Sequence, residues 1–224
     1  MASNFHRWEL LPELGKACYN AGCTLTEIRS TVRHLIITSG YTTCLATTNN
    51  LYAAELLEEN TPAKAGGAPG NAFELVYTKI TDTVRKKVHT ADPVLGEYIR
   101  THLYGDIYSS PGITLAQRQL FMMAFLAEAH MHEELFGHAY AGFRFGNDKE
   151  AALKVVDMGF ELSPAPSNNT YKSAIDTMSL AYKKFKKDFP NGPPPLPEVS
   201  IPDPESVRIP PLPPSYTPDP SSKS

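Results

Sequence analysis

Between Leu103 and His138 the chain brings together histidines, glutamates, tyrosines and an arginine that could move a proton or hold a charged substrate. Glu134 and His138 stand four apart, so on a helix they share a face and can hydrogen-bond. A carboxylate beside an imidazole raises its pKa and fixes its tautomer, the arrangement a proton-transfer catalyst needs. Such a pair suits decarboxylation of a β-keto or vinylogous acid, in which electrons drain into a carbonyl and a proton is then delivered to carbon. No bound cofactor is required. His138 is therefore expected in the acid/base role, with Glu134 or Glu133 orienting it. Arg118 is expected to anchor an anionic group at the rim, with Tyr104 and Tyr108 in the pocket wall or the core. The same residues admit a plainer arrangement. Glu134 and His138 would then form a surface pair worth about 0.2–0.5 kcal/mol, and Arg118 would face a structural carboxylate.

Two other chemistries are weaker. His130, His132, Glu133 and His138 offer imidazole and carboxylate, which suit zinc or iron. Residues two apart on a helix point to different sides, however, so His130 and His132 would need a non-helical turn, and no metal is expected. Cys18, Cys23 and Cys44 are too few and too unevenly placed for a disulfide framework, which suits a reducing compartment. They are expected as small buried hydrophobes. Cys44, near a helix start, is the one whose pKa could be lowered.

The elements that carry these residues read as helices. Thr114-Leu115-Ala116-Gln117 is a capping box, and the almost wholly apolar run to Ala129 predicts a helix buried on most sides. Its far end carries the His130–His138 cluster, on a further helix over 133–145 that ends at Gly146. Before these lie a helix over 8–20, a second opened by the capping box Thr24-Leu25-Thr26-Glu27, and a break at Ser39-Gly40-Tyr41. A third follows, then a Gly- and Pro-rich linker over 59–71. Helices are also expected over 72–88, from Asp92-Pro93 to Leu103, over 151–158, and from Asn169 to Phe185. No convincing alternation is present, so the fold class is all-α.

A formal charge of −3 on 224 residues shows no basic excess, which argues against nucleic acid or an anionic membrane as a partner. The N-terminus has no signal-peptide core and no run of about 18 apolar residues occurs, so a cytoplasmic location is expected. Thirteen of the residues from Pro190 to Ser224 are proline, predicting a disordered or polyproline II tail over 190–224. A weak repeat relates Ala17, Tyr19 and Gly22 to Ala141, Phe143 and Gly146. One helical domain over 1–189 would then comprise a half repeat (1–58), the linker and a complete repeat (72–189).

Tyr-Gly-Asp-Ile-Tyr-Ser-Ser-Pro-Gly-Ile (104–113), Arg118 and Glu-Glu-Leu-Phe-Gly-His (133–138) resemble the carboxymuconolactone decarboxylase family. Asn20-Ala21-Gly22-Cys23-Thr24-Leu25-Thr26-Glu27-Ile28 and Ser39-Gly40-Tyr41 look like that family's second half. The resemblance implies a helical fold related to the alkylhydroperoxidase D type, assembly as trimers or hexamers, and action on a small organic acid or lactone without a cofactor. Two departures bear on the reaction. The peroxidase branch uses Cys-x-x-Cys, where this chain has Tyr41-Thr42-Thr43-Cys44, and one thiol cannot run a dithiol cycle within a chain. Ser110 replaces the arginine usual before Pro-Gly, so the substrate differs or its carboxylate falls to Arg118. The alternatives are a non-catalytic oligomeric binding protein of the same fold and a thiol-dependent peroxidase-like protein.

Overall fold

A computed structural model describes residues 1–57 and 72–195. The linker expected over 59–71 and all of the proline-rich tail beyond 195 lie outside the described residues. Among those described, every regular element is helical, as the absence of alternating segments predicts. None of these helices is long and apolar enough to cross a membrane.

The organising element is α6 (Leu115–Glu128). Thr114 caps it reciprocally: its hydroxyl accepts from the Gln117 amide, and the Gln117 side chain accepts from the Thr114 amide at 2.8 Å. Three helices pack around it: α7 (His132–Arg144), α8 (Lys149–Leu162) and α9 (Asn168–Asp188). Met123, Leu126 and Ala127 meet Leu135, Ala139 and Phe143 of α7, Val156 of α8, and Met178 and Phe185 of α9. Each large apolar side chain buried here contributes about 1.5–3 kcal/mol. Small residues set how closely the axes approach. A Cβ at Gly142 of α7 would run into the Met123 methyl and lie 3.2 Å from Cβ of Gln119.

Earlier helices wrap this core. α1 (Leu11–Asn20) packs on α2 (Leu25–Ala53), which turns sharply at Gly40 (φ 75°, ψ 175°). The break expected at Ser39-Gly40-Tyr41 is thus present. Before it, α2 buries Ile28, Ser30, Val32 and His34; after it, Tyr41 and Leu45 are exposed. The stretch expected as one helix over 72–88 divides into α3 (Ala72–Tyr77), a 3₁₀ turn and α4 (Thr81–Ala91), because Thr78 takes a left-handed conformation (φ 46°). α5 (Pro93–Tyr98) then continues into a π-helical segment, Ile99–Ile107. A helix ending at Leu103 was expected. The chain instead winds on with i→i+5 bonding, the Tyr108 amide donating to the Leu103 carbonyl at 2.9 Å. That wider winding buries both Tyr104 and Tyr108, with ring centroids 4.7 Å apart. π-Helical turns are rare and concentrate at functional sites.

The glycine ends that suggested a repeat do share one geometry. Gly22 and Gly146 both have positive φ and close α1 and α7 with matching 5→2 and 6→1 bonds. The same 6→1 closure ends α6 at Met131 and α2 at Leu56. It is general helix-ending chemistry, so these glycines alone do not carry the relation between the two parts of the chain.

Gly112 fixes the loop between the π-helical segment and α6. Its φ is +119°, and a Cβ there would lie 2.6 Å from the Thr26 carbonyl oxygen and 2.7 Å from Cβ of Ser30. Backbone strain of this kind costs about 1–3 kcal/mol before any clash. Gly112→Ala is therefore expected to destabilise the protein by at least about 2 kcal/mol in chemical denaturation, and an unchanged midpoint would contradict the contact.

Candidate functional site

Arg118 sits one turn into α6 on the face turned towards α2, and none of its surface is exposed. The rim position expected for it is wrong: α6 turns its fourth residue inward towards α2, while its exposed face carries Gln117 and Phe121. The guanidinium Nη2 donates to the Ser110 carbonyl at 2.6 Å and lies 3.2 and 3.3 Å from the hydroxyls of Ser110 and Ser30. Nη1 donates to Nδ1 of His34 at 3.4 Å, and the Tyr108 ring stands 5.8 Å away. No carboxylate pairs with it among the described residues. The charge of Arg33 also acts on it, in the unfavourable sense. Burial pulls its pKa down to about 10, so it stays charged at neutral pH.

His138, on α7, is also buried. Its Nδ1 lies 2.7 Å from Oε1 of Gln119, the residue after Arg118. Glu134 is not its partner; that side chain is exposed, and Glu133 is exposed too, 3.6 Å from Lys87. The Glu134–His138 pairing expected from four-residue spacing is thereby corrected. α7 turns His138 into the core against α6, while the two glutamates occupy its exposed first turn. The consequence for titration is opposite to that expected. Burial drives the His138 pKa down to about 4, and burial followed by the Arg118 charge drives His34 down to about 3.

These contacts fix protons. Arg118 can only donate, so His34 Nδ1 is an acceptor and the neutral ring carries its proton on Nε2. With the Gln119 carbonyl oxygen facing it, His138 donates through Nδ1 and keeps a lone pair on Nε2. The cluster also holds four buried atoms without a partner: His34 Nε2, Arg118 Nε, Gln119 Nε2 and the Tyr108 hydroxyl. The first three are donors. The Tyr108 hydroxyl lies near the Gln119 amide but outside hydrogen-bonding geometry, and burial pushes its pKa up. A buried donor left without an acceptor costs about 1–3 kcal/mol. Beside the cluster is a cavity of about 80 Å³ whose wall includes Thr31, His34, Thr38, Phe121 and Phe125.

Tyr104 belongs elsewhere. Its hydroxyl donates to that of Tyr77 at 3.1 Å, and it packs on Phe73 within the second apolar cluster. Tyr108 therefore reaches Arg118, and Tyr104 backs it. His130 does occupy a non-helical turn (φ 60°) near His132, but it hydrogen-bonds Thr170, and among the described residues no three His, Cys, Asp or Glu come together to hold a metal. Cys44 donates to the Val32 carbonyl at 3.3 Å and burial raises its pKa, the reverse of an activated thiol. Cys18 is exposed rather than buried, and its thiol is also raised, by partial burial and by neighbouring Cys23.

Sequence reasoning missed Ser30, His34 and Gln119. One signal was available: Ser30 and His34 stand four apart on the same helix that buries Ile28 and Val32, and Gln119 follows Arg118 inside an otherwise apolar run. Compared with known protein families and with curated proteins, the chain matches none in sequence.

The depressed histidines make stability pH-dependent. A folded-state pKa below the unfolded value of 6.5 means the unfolded chain binds more protons between the two. Their contribution is complete above pH 6.5 and declines as the pH falls towards 4 for His138 and 3 for His34. Each histidine adds a slope of up to about 1.4 kcal/mol per pH unit. Urea denaturation of wild type and His138→Asn between pH 7 and 4 checks this, the variant being expected to show the shallower decline.

Proposed function

We propose that the protein is a cofactor-independent, carboxymuconolactone decarboxylase-like enzyme acting on a small oxygenated acid or lactone by decarboxylation or proton transfer. The observation that carries this reading is Arg118, a buried guanidinium with no carboxylate partner among the described residues, bonded to the neutral His34, while the next residue, Gln119, holds a second buried neutral imidazole, His138. A lone buried cation is costly unless something anionic arrives to face it. It is also what stabilises an enolate, the charge common to decarboxylation and to proton abstraction next to a carbonyl.

His138 then works as a neutral base through Nε2, with Gln119 holding its tautomer in the place foreseen for Glu134. A base with a pKa of about 4 takes protons only from an acid that its surroundings have strengthened. Arg118 supplies that strengthening by lowering the energy of the anion produced. Tyr108 lines the same centre. The resemblance adds assembly as trimers or hexamers. The exposed Tyr41, Leu45 and Tyr52 on α2 suit such contacts.

Release of carbon dioxide and exchange of carbon-bound hydrogen, measured over a panel of small β-keto acids and unsaturated lactone acids, test the reaction. His138→Ala is expected to lower turnover at least about 100-fold, and unchanged turnover would remove it from the mechanism. The acid limb of the wild-type rate profile is expected near pH 4, because protonation of His138 abolishes its function as a base. A limb at 6 or above would contradict the buried, neutral imidazole. A second reading, a non-catalytic oligomeric binding protein, draws on the complete burial of Arg118. It predicts ligand retention in native mass spectrometry without turnover of any substrate in the panel.

A further inference from the structure

A separate pocket, of about 100 Å³, opens where α4 meets α5 and the start of the π-helical segment. The covered part of its lining is apolar: Phe73 is buried, and Val88 and Ile99 are half-buried. The exposed part is polar, formed by Arg85, His89, Glu97 and Arg100. Gly96 lets α5 close on α4, since a Cβ there would lie 3.4 Å from Cα of His89. Both guanidiniums are already engaged. Arg85 pairs with Glu74 at 2.7 Å and Asp82 at 3.0 Å and stands 5.8 Å over the Phe73 ring, while Arg100 is held by Glu97. A small anion therefore gains little here, and what the pocket offers is hydrocarbon. Its volume suits the bulk of a branched aliphatic side chain. Leu95, four residues before Ile99, is exposed and extends the apolar strip along α5.

The chain itself supplies an occupant. α9 ends at Asp188, which Tyr140 and Lys184 hold by hydrogen bonds and which feels the charge of Lys79, two residues before α4. The segment after α9 thus sets out from the side of the molecule that carries α4. Seven residues lead from Asp188 to Pro195, and ten more run to Glu205. Seventeen residues reach at most about 60 Å, whereas the 11 residues of α4 span only about 16 Å. Charge favours the match. Residues 196–205, Leu-Pro-Glu-Val-Ser-Ile-Pro-Asp-Pro-Glu, hold three acids and no Lys or Arg. α4 holds Arg85, Lys86 and Lys87 against Asp82 alone, and Lys79 precedes it. Leu196, Val199 and Ile201 are the aliphatic side chains of that segment. We propose that residues 196–205 dock along α4 of the same chain, seating an aliphatic side chain on Phe73, Val88 and Ile99 and setting the three acids against the basic residues of α4. The contact is independent of any reaction at Arg118.

Photocross-linking in the full chain tests this, with Ile201→benzoylphenylalanine as the probe and peptide mass spectrometry as the readout. Cross-links are expected between Phe73 and Arg100 of the same polypeptide, in a product that runs as a monomer. A probe placed outside the segment, Tyr216→benzoylphenylalanine, is expected to reach that region far less. Reversing the acids together, with Glu198→Lys, Asp203→Lys and Glu205→Lys, should lower the Ile201 yield at least about fivefold. Adding Lys86→Glu and Lys87→Glu should restore it, and both lysines are exposed, so the core is left alone. Salt at 1 M should lower the yield of the original probe, because charges are then screened beyond about 3 Å. Cross-links spread over other helices, or joined to a second copy of the chain, overturn the proposal. So do equal yields from the two probe positions, or a yield that charge reversal leaves unchanged.

Discussion

Burying a guanidinium without a carboxylate is the constraint around which the other features of this protein are arranged. The charge on Arg118 must be met by dipoles, and the fold supplies them from three directions. The Ser110 carbonyl comes from the loop after the π-helical segment, the Ser30 hydroxyl and the His34 imidazole come from α2, and the Tyr108 ring face comes from the end of the π-helical winding. Removing any of these leaves a cation worse solvated than before. That explains why a tightly constrained glycine, Gly112, sits where the loop must touch α2. It also explains why the first part of the chain, which contributes little to the main core, still has to dock against α6.

The apolar packing exists on either side of this centre rather than through it. α6 uses Met123, Leu126 and Ala127 against α7, α8 and α9, while Arg118 and Gln119 occupy its N-terminal half, where packing turns polar. One helix therefore serves two environments along its length. Gly142 lets α7 approach closely enough for Gln119 to reach His138. A larger residue there would press on both Met123 and Gln119, so a packing contact and a tautomer-setting hydrogen bond share one position.

Much of the architecture was legible because local chemistry and tertiary packing agree. The Thr24 and Thr114 capping boxes, the break at Gly40 and the apolar run of α6 all follow from short-range rules that the packed structure reinforces. Thr78 and the π-helical winding did not follow, because neither a left-handed threonine nor i→i+5 bonding is favoured by local propensity. The site was half legible for a related reason. Spacing says which residues share a helix face, so Arg118 and His138 stood out, but it does not say which face turns inward. Glu134 was the natural partner for His138 on one helix, whereas Gln119 reaches it from another. His34 and Ser30 were invisible as site residues because they meet Arg118 across 84 and 88 positions of sequence.

The two histidines show why burial, more than proximity to a carboxylate, decides what such a centre can do. A Glu134–His138 pair would have favoured an imidazolium held by its own carboxylate near neutral pH. Burial, with Gln119 in place of a carboxylate, keeps His138 neutral, and burial followed by the Arg118 charge keeps His34 neutral as well. The total charge of the centre is thus held at the single positive charge of Arg118. A monoanion neutralises that charge, while a neutral ligand leaves it standing and a dianion overshoots it. On the proposed reading, an arriving anion would therefore meet one positive charge and two neutral imidazoles.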